Sequence, residues 1–400
     1  MQTLPSYSQA LESALSVVPK VSVSEKVLLE RASNRFLATD ILADRDFPPY
    51  NRSQMDGYAV VASEVEEGVS MQVIGHVSAG TTFDGEHQPN TCVAIATGAP
   101  VPNCFDSVVQ HELSDNGSDI VTIHCADIQK GKAIHFQGVD AKAGDVLIGK
   151  YTKLSPQHIG LAASAGEHEI EVISMPRVIV ITSGDEVVAP NEQPLSHQIR
   201  NGNNPMLSSA LTSMGCEVIE THHVSDDLGA TNEVIAQALD GRCDLLVTVG
   251  GISAGKRDFF PDAFARAGVD VVVKGVKIQP GKPVIVGKHA GAVVIGLPGN
   301  PVSALACSCV FSWPIVRALQ GMPTDLPWQE VPLATSVKPN PRRRAFRPCS
   351  LVNGGVIVPQ WQGSGDLVHT ATTHGLVQLP SSEKELLEGD IVSCLAFPWL

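Results

Sequence analysis

Apolar residues at Tyr7, Ala10, Leu11, Ala14 and Leu15 recur at helical spacing and predict a helix over 6–17, with helical character resuming at 27–32 after a short break. From about 46 to 135 the texture changes to short β-rich runs, MQVIGHV, CVAIATG, SVVQHEL and IVTIHCA, punctuated by Gly, Pro, Asn and Asp. A small β domain fits that stretch. Residues 136–175 hold a strand and turn, then a helix starting near Ser155 and Pro156, where Ser can cap and Pro suits the first turn. This segment is expected to return the chain to the N-terminal element. Strands and helices then alternate: strand 177–183, helix 204–214, strand CEVIETHHV, helix 229–240, strand DLLVTVG, helix from about 258, strands KPVIVGK and AVVIG, and a long helix 301–320. Such alternation predicts a mostly parallel sheet covered on both faces. The remainder reads as a closing β module, through SLVNGGVIVP, GLVQLP and DIVSCLAF. Four domains are therefore expected: 1–45 with 136–175, helical and extended; an inserted β domain, 46–135; an α/β domain, 176–326; and a β module, 327–400.

A chain of 400 residues favours several domains, and 43% hydrophobic with 18% charged residues leaves enough apolar material for real cores. The 28 basic against 42 acidic side chains give a formal charge of −14, which opposes the counterion release that drives nucleic-acid binding. A small anion remains compatible with this balance, because backbone N–H groups and a few local lysines can build a positive pocket in an acidic protein. Nine scattered cysteines without a CxxC pair suggest neither zinc nor a disulfide framework. No leader pattern is read at the start and no bilayer-spanning apolar run is expected, so the reading is cytoplasmic, with no membrane partner.

Three loops leave the carboxyl ends of the predicted α/β strands, where open sheets bind ligands. In TSGDE, 182–186, Gly184 permits a sharp turn and Asp185 and Glu186 project from the strand end; an ordinary polar turn reads equally well. In GGISAGKRD, 250–258, Gly250, Gly251 and Gly255 let N–H groups point at an anion and Ser253 adds a hydroxyl. The spacing nearly matches an ATPase P-loop, but Arg257 stands where the metal-binding Ser or Thr belongs. In GLPGNPVSA, 296–304, two prolines and two glycines stiffen the start of an apolar helix and place Asn300 or Ser303 at an anion-favouring terminus. Between the last two loops, QPGKP frames Lys282 as a phosphate counter-charge.

The N-terminal half contributes FPPYNRSQMDGYAV, 47–60, then ATGAPVP with Thr97, then GVD ending at Asp140. Each carboxylate among Asp56, Asp140, Glu186, Asp226 and Asp258 reads on its own as a cap or surface charge. Their assembly carries the argument. The RRRAFR stretch, 342–347, could line the cleft, meet a partner or solvate a β edge, and the last is favoured.

These motifs, in this order along nearly the whole chain, resemble the molybdopterin molybdenumtransferase family, the MoeA and gephyrin E-domain proteins. The resemblance implies an elongated homodimer of multidomain α/β and β subunits, with a central three-layer α/β/α molybdopterin-binding domain and a barrel-like C-terminal module. It implies a cleft between the α/β domain of one subunit and the inserted β domain of the other. There adenylylated molybdopterin would be cleaved in the presence of molybdate and Mg²⁺, releasing AMP and the molybdenum-loaded pterin. By this carry-over Gly250, Gly251, Ser253, Gly255, Lys282, Pro298, Gly299, Asn300, Pro301 and Ser303 would hold the substrate. Glu186, Asp226 and Asp258 would bind the metal, and Asp56, Thr97, Asp140 and Glu186 would act catalytically. A molybdopterin adenylyltransferase and molybdoenzymes would be its protein partners. Ala94, His135, Phe136, Asn201 and Gln279 depart from the family pattern by replacing charged residues. An adenylyltransferase, which would consume ATP, and a pterin-binding scaffold without insertase activity are the competing readings.

Overall fold

The computed structural model describes residues 4–19, 23–252, 258–360 and 363–400. The chain forms two compact units, Met1–Glu25 with Ile173–Leu400, and Lys26–Val172.

In the first unit a six-stranded sheet runs in the order Glu217–Val224, Arg177–Ser183, Leu245–Val249, Ala292–Leu297, Ile285–His289, Asp270–Lys274. The first four strands are parallel, and the last two join through antiparallel pairings. The central strands are mostly apolar and buried along nearly their whole length because both faces are covered. Val178 and Val180 enter one core with Leu207, Leu211 and Phe311, whereas Ile179 and Ile181 enter another with Ile235, Phe260 and Phe264. Helices Asn203–Ser213 and Pro301–Cys307 thus lie on one face, and Leu228–Ala238 and Phe260–Arg266 on the other. That is a three-layer α/β/α arrangement.

The helical path from Pro301 to Leu319 passes through a π-helical stretch, Ser308–Ser312, before continuing as Trp313–Leu319. It corrects the expectation that no apolar run is long enough to span a bilayer: it is 19 residues long, and an 18-residue window within it has a mean hydropathy of 1.6 and is 78% buried. A helix apolar all round is what a domain core requires. The opening helix, Tyr7–Ser16, packs in this same unit, where Tyr7 Oη donates to the Val310 carbonyl at 3.0 Å. Helical character does not resume at 27–32. Ser24–Leu28 is a strand, followed by one 3₁₀ turn, Leu29–Arg31, whose Leu29 N–H bonds the His168 carbonyl at 2.9 Å.

The closing β module orders its strands Ile278–Gln279, Arg344–Val352, Gly375–Leu379, Ile391–Ala396, Gln329–Pro332, with Gly355–Ile357 as a branch on Arg344–Val352. The two-residue strand beside Lys282 is therefore an edge of this second sheet. It runs parallel to Arg344 and Ala345.

The second unit holds a five-stranded sheet, Ser107–Gln110, Gly57–Val60, Thr91–Ile95, Ser70–Val77, Ile120–Thr122. Its two faces feed separate cores, one around Val93, Ile95 and Phe105, the other around Tyr58, Met71 and Val121. Short ladders join Arg52–Ser53 to Ile134–His135 and Ile41–Leu42 to Val146–Ile148. The expected helix near 155 is present as Pro156–Ser164 with Ser155 at its N-cap.

Candidate functional site

The strand Arg177–Ser183 ends at Gly184, whose φ of +137° and missing Cβ let the Glu186 carboxylate fold over it; a Cβ there would lie 2.9 Å from Glu186 Oε2. Asp185 is tied back, because its Oδ1 accepts the Asp226 amide at 3.0 Å and so joins two strand-end loops. Gly250 follows the central strand with φ +87°, and Gly251 with φ +53°. The Gly250 and Gly299 backbones touch so closely that a Cβ on Gly299 would stand 3.3 Å from Gly250 Cα. Asn203 Nδ2 donates to the Gly299 carbonyl at 2.7 Å, fixing the third loop to the first turn of helix Asn203–Ser213.

These loops enclose one cavity of about 950 Å³ at the carboxyl ends of the sheet. Of the expected residues, Glu186, Asp226, Gly250, Gly251, Asp258, Lys282, Pro298, Gly299, Asn300, Pro301 and Ser303 line it. Ser253 and Gly255 lie outside the described residues. Asp56, Thr97 and Asp140 belong to the other unit.

Two contributors come from the C-terminal module and were missed in the sequence. Arg343 lines the cavity, which corrects the reading of 342–347 as a solvated edge. Its backbone N–H, with that of Arg342, donates to Asn340 Oδ1, and its Nη1 donates to the Ile278 carbonyl at 3.2 Å. Arg347 of the same stretch is half-buried, and its Nη2 donates to the Pro359 carbonyl at 3.4 Å. Ser364 also lines the cavity; its carbonyl accepts the Val302 N–H at 3.0 Å, and its Oγ accepts from Asn300 Nδ2 at 2.8 Å. One of the unpaired amides expected at that helix start is thereby satisfied.

Gln279 and Asn201, two of the positions expected to depart from the family pattern, have structural roles. Gln279 Oε1 accepts from Asn340 Nδ2 at 2.6 Å, and Asn340 carries the Arg343 turn, so a neutral strut here orients a cation contributed from another strand. Asn201 is buried; its Nδ2 donates to Thr182 Oγ1 at 2.8 Å and its Oδ1 accepts the Asn204 N–H at 3.1 Å. Asn340→Ala is expected to free Arg343 and raise the KM of an anionic substrate about tenfold with little change in kcat, read from steady-state kinetics.

In the second unit Asp56 stands at the head of strand Gly57–Val60, where Gly57 is required because a Cβ would lie 1.9 Å from the Val109 carbonyl oxygen. Asp56 Oδ1 accepts the Thr97 N–H at 2.7 Å, and that bond holds the carboxyl below the usual carboxylate range. Asp140 Oδ1 is bonded by His135 Nε2 at 2.9 Å.

Lys282 and Arg343 as cations, with Glu186, Asp226 and Asp258 as hard oxygen donors, suit a phosphate accompanied by a divalent cation. Among the described residues no three His, Cys, Asp or Glu side chains converge as a ready-made metal site.

The fold and cavity define an α/β protein with a site at the strand ends of its sheet suited to a phosphorylated small molecule. Three family models cover the chain in sequence: the MoeA N-terminal region (domain I and II) over 5–166, a probable molybdopterin binding domain over 179–318, and the MoeA C-terminal region (domain IV) over 330–397. Molybdopterin molybdenumtransferase 2 of Mycobacterium tuberculosis is 34% identical, with 91% of this chain and 92% of that protein covered. The molybdopterin molybdenumtransferase of Synechococcus elongatus is 34% identical over 96% and 97%. A crystal structure of the molybdopterin biosynthesis moea protein from Pyrococcus horikosii superposes with a TM-score of 0.78 at 28% identity, covering 99% of each chain. The chain belongs to the molybdopterin molybdenumtransferase family.

Proposed function

We propose that this protein is a molybdate insertase of molybdenum cofactor biosynthesis, which cleaves adenylylated molybdopterin and leaves molybdenum on the pterin with release of AMP. The observation that carries the reading is the cavity in which Lys282, Arg343, Glu186, Asp226 and Asp258 meet three glycine-bearing loops. Lys282 and Arg343 bind the pyrophosphate oxygens, and the Gly250, Gly251 and Gly299 backbones allow them close approach. Pro298, Pro301, Asn300 and Ser303 keep the helix start rigid beneath the phosphates. Mg²⁺, which one or two of Glu186, Asp226 and Asp258 would hold together with the substrate phosphates, would supply charge neutralisation for the departing AMP.

The reading includes a homodimer in which Asp56, Thr97 and Asp140 of the partner subunit complete the site at the molybdate end. The Asp56 carboxylate would accept a hydrogen bond from a protonated oxygen of the reacting group there, with the Thr97 turn fixing its position. Support comes from the bond that locks Asp56 to Thr97 and from the family's membership as a whole.

The test is to incubate the purified chain with adenylylated molybdopterin, molybdate and Mg²⁺ and to quantify AMP and pterin-bound molybdenum. Equimolar AMP and loaded pterin, formed only when molybdate is added, are expected. ATP-dependent adenylylation would instead identify an adenylyltransferase, and tight pterin binding without AMP release would identify a scaffold.

A further inference from the structure

Segment 47–53 of the second unit runs between the loop that carries Thr97 and the segment that ends at Asp140. Ser53 accepts the Gly98 N–H at 2.8 Å and donates its own N–H to the Ala99 carbonyl at 2.9 Å, so one flank of the segment is bound to the Thr97 turn. On its other flank Arg52 and Ser53 pair with His135 and Ile134. Asp140 N–H donates to the Phe47 carbonyl at 2.9 Å. Arg52 therefore stands in the strand that holds the Asp56, Thr97 and Asp140 elements to each other.

Its side chain is held in an unusual way. Arg52 Nε and Nη2 lie 3.3 and 3.1 Å from His135 Nδ1. A guanidinium only donates, so Nδ1 is the acceptor and the ring proton is on Nε2, aimed at Asp140 Oδ1 2.9 Å away. The Arg52 charge is thus oriented by a neutral ring nitrogen and not cancelled by a carboxylate; among the described residues no Asp or Glu pairs with it. The imidazole spaces the guanidinium from Asp140, which would otherwise neutralise it. Arg52 remains exposed, with N–H groups left over for a ligand. Arg52 thus supplies a cation from the strand paired with His135.

We propose that Arg52 is a binding residue for a tetrahedral oxyanion, and that His135 is its positioning residue, holding the guanidinium open between the Thr97 turn and Asp140. The proposal rests on the insertase reading of this face. Molybdate and the phosphate of the adenylylated pterin share that chemistry, and the titrations distinguish them.

Full-length wild type, Arg52→Gln, His135→Ala, His135→Asn and Lys132→Gln would each be titrated calorimetrically with molybdate and, separately, with adenylylated molybdopterin. Arg52→Gln is expected to weaken one of the two by about tenfold or more, and the ligand affected identifies the oxyanion. His135→Ala should show the same loss, because the freed guanidinium folds onto Asp140. His135→Asn, whose Oδ1 can accept from Arg52 much as Nδ1 does, should recover to within about threefold. Lys132→Gln, an exposed charge loss nearby, should change neither titration. Unchanged affinity for both ligands in Arg52→Gln overturns the proposal, and equal losses in His135→Ala and His135→Asn at unaltered thermal midpoint overturn the positioning role. A wild type that binds either ligand but releases no AMP would sink the insertase reading and leave these comparisons readable.

Discussion

Asp56→Asn and Asp258→Ala are each expected to fold as the parent does and to lower AMP release by about a thousandfold or more, the scale of losing a principal electrostatic contribution to phosphoryl transfer. In Asp56→Asn the amide oxygen can still accept the Thr97 N–H now made at 2.7 Å, so the turn survives while the charge is removed. Normal turnover in that variant would mean that Asp56 is only a cap for the 97–100 loop. Asp258 lines the phosphate cavity of the other unit, and its removal should be accompanied by a higher Mg²⁺ requirement.

Mixing the two inactive variants adds a test of the dimer. If each site takes Asp258 from one subunit and Asp56 from its partner, a mixed dimer has one intact site and one doubly altered site. Random exchange should then restore about a quarter of wild-type turnover, because half the dimers are mixed and half their sites are whole. A site completed within one chain would show no recovery.

The pH dependence follows from the sign of the Asp56 shift. The Thr97 N–H holds this carboxyl below its ordinary range, so its contribution is complete above the unfolded-state value and fades only as pH falls through the lower folded value. Asp56 therefore contributes no loss of activity between about pH 5 and pH 8. An acid limb in that interval that persists in the residual activity of Asp56→Asn must come from another group.

What could be read in the sequence was local or repetitive. Alternating strands and helices after 176 are visible because each central strand is buried on both faces and reads as an unbroken apolar run. The three strand-end loops were visible because glycine and proline mark them. Residues 27–32 misled because their apolar spacing also suits a strand followed by a single turn. Arg343 and Ser364 escaped because their place depends on Ile278–Gln279 joining the C-terminal sheet, a pairing between segments more than 60 residues apart. Arg52 escaped for the same reason: only the cross-strand register with His135 shows what its charge faces.

Gly281→Ala is expected to destabilise the α/β unit by about 2–5 kcal/mol and to weaken substrate binding through Lys282, the next residue. Gly281 has φ +102°, a conformation L side chains rarely adopt, and an added Cβ would lie 2.1 Å from Cys307 Sγ and 3.2 Å from Ile278 Cδ1. Neither neighbour can give way easily. Cys307 is fully buried in the core helix, where desolvation pushes its thiol pKa up and keeps it neutral, so it serves as a small apolar support beneath the Lys282 turn. Thermal or urea unfolding should show a lower midpoint for Gly281→Ala, and kinetics a KM for adenylylated molybdopterin raised about tenfold or more. Cys307→Ala alone should cost about 1 kcal/mol as a small cavity, yet in the Gly281→Ala background it removes the overlap and should restore part of the midpoint. The part not restored measures the backbone strain. Strictly additive losses in the double variant would show that the thiol does not support the loop, and an unaltered KM in Gly281→Ala would show that Lys282 keeps its place without it.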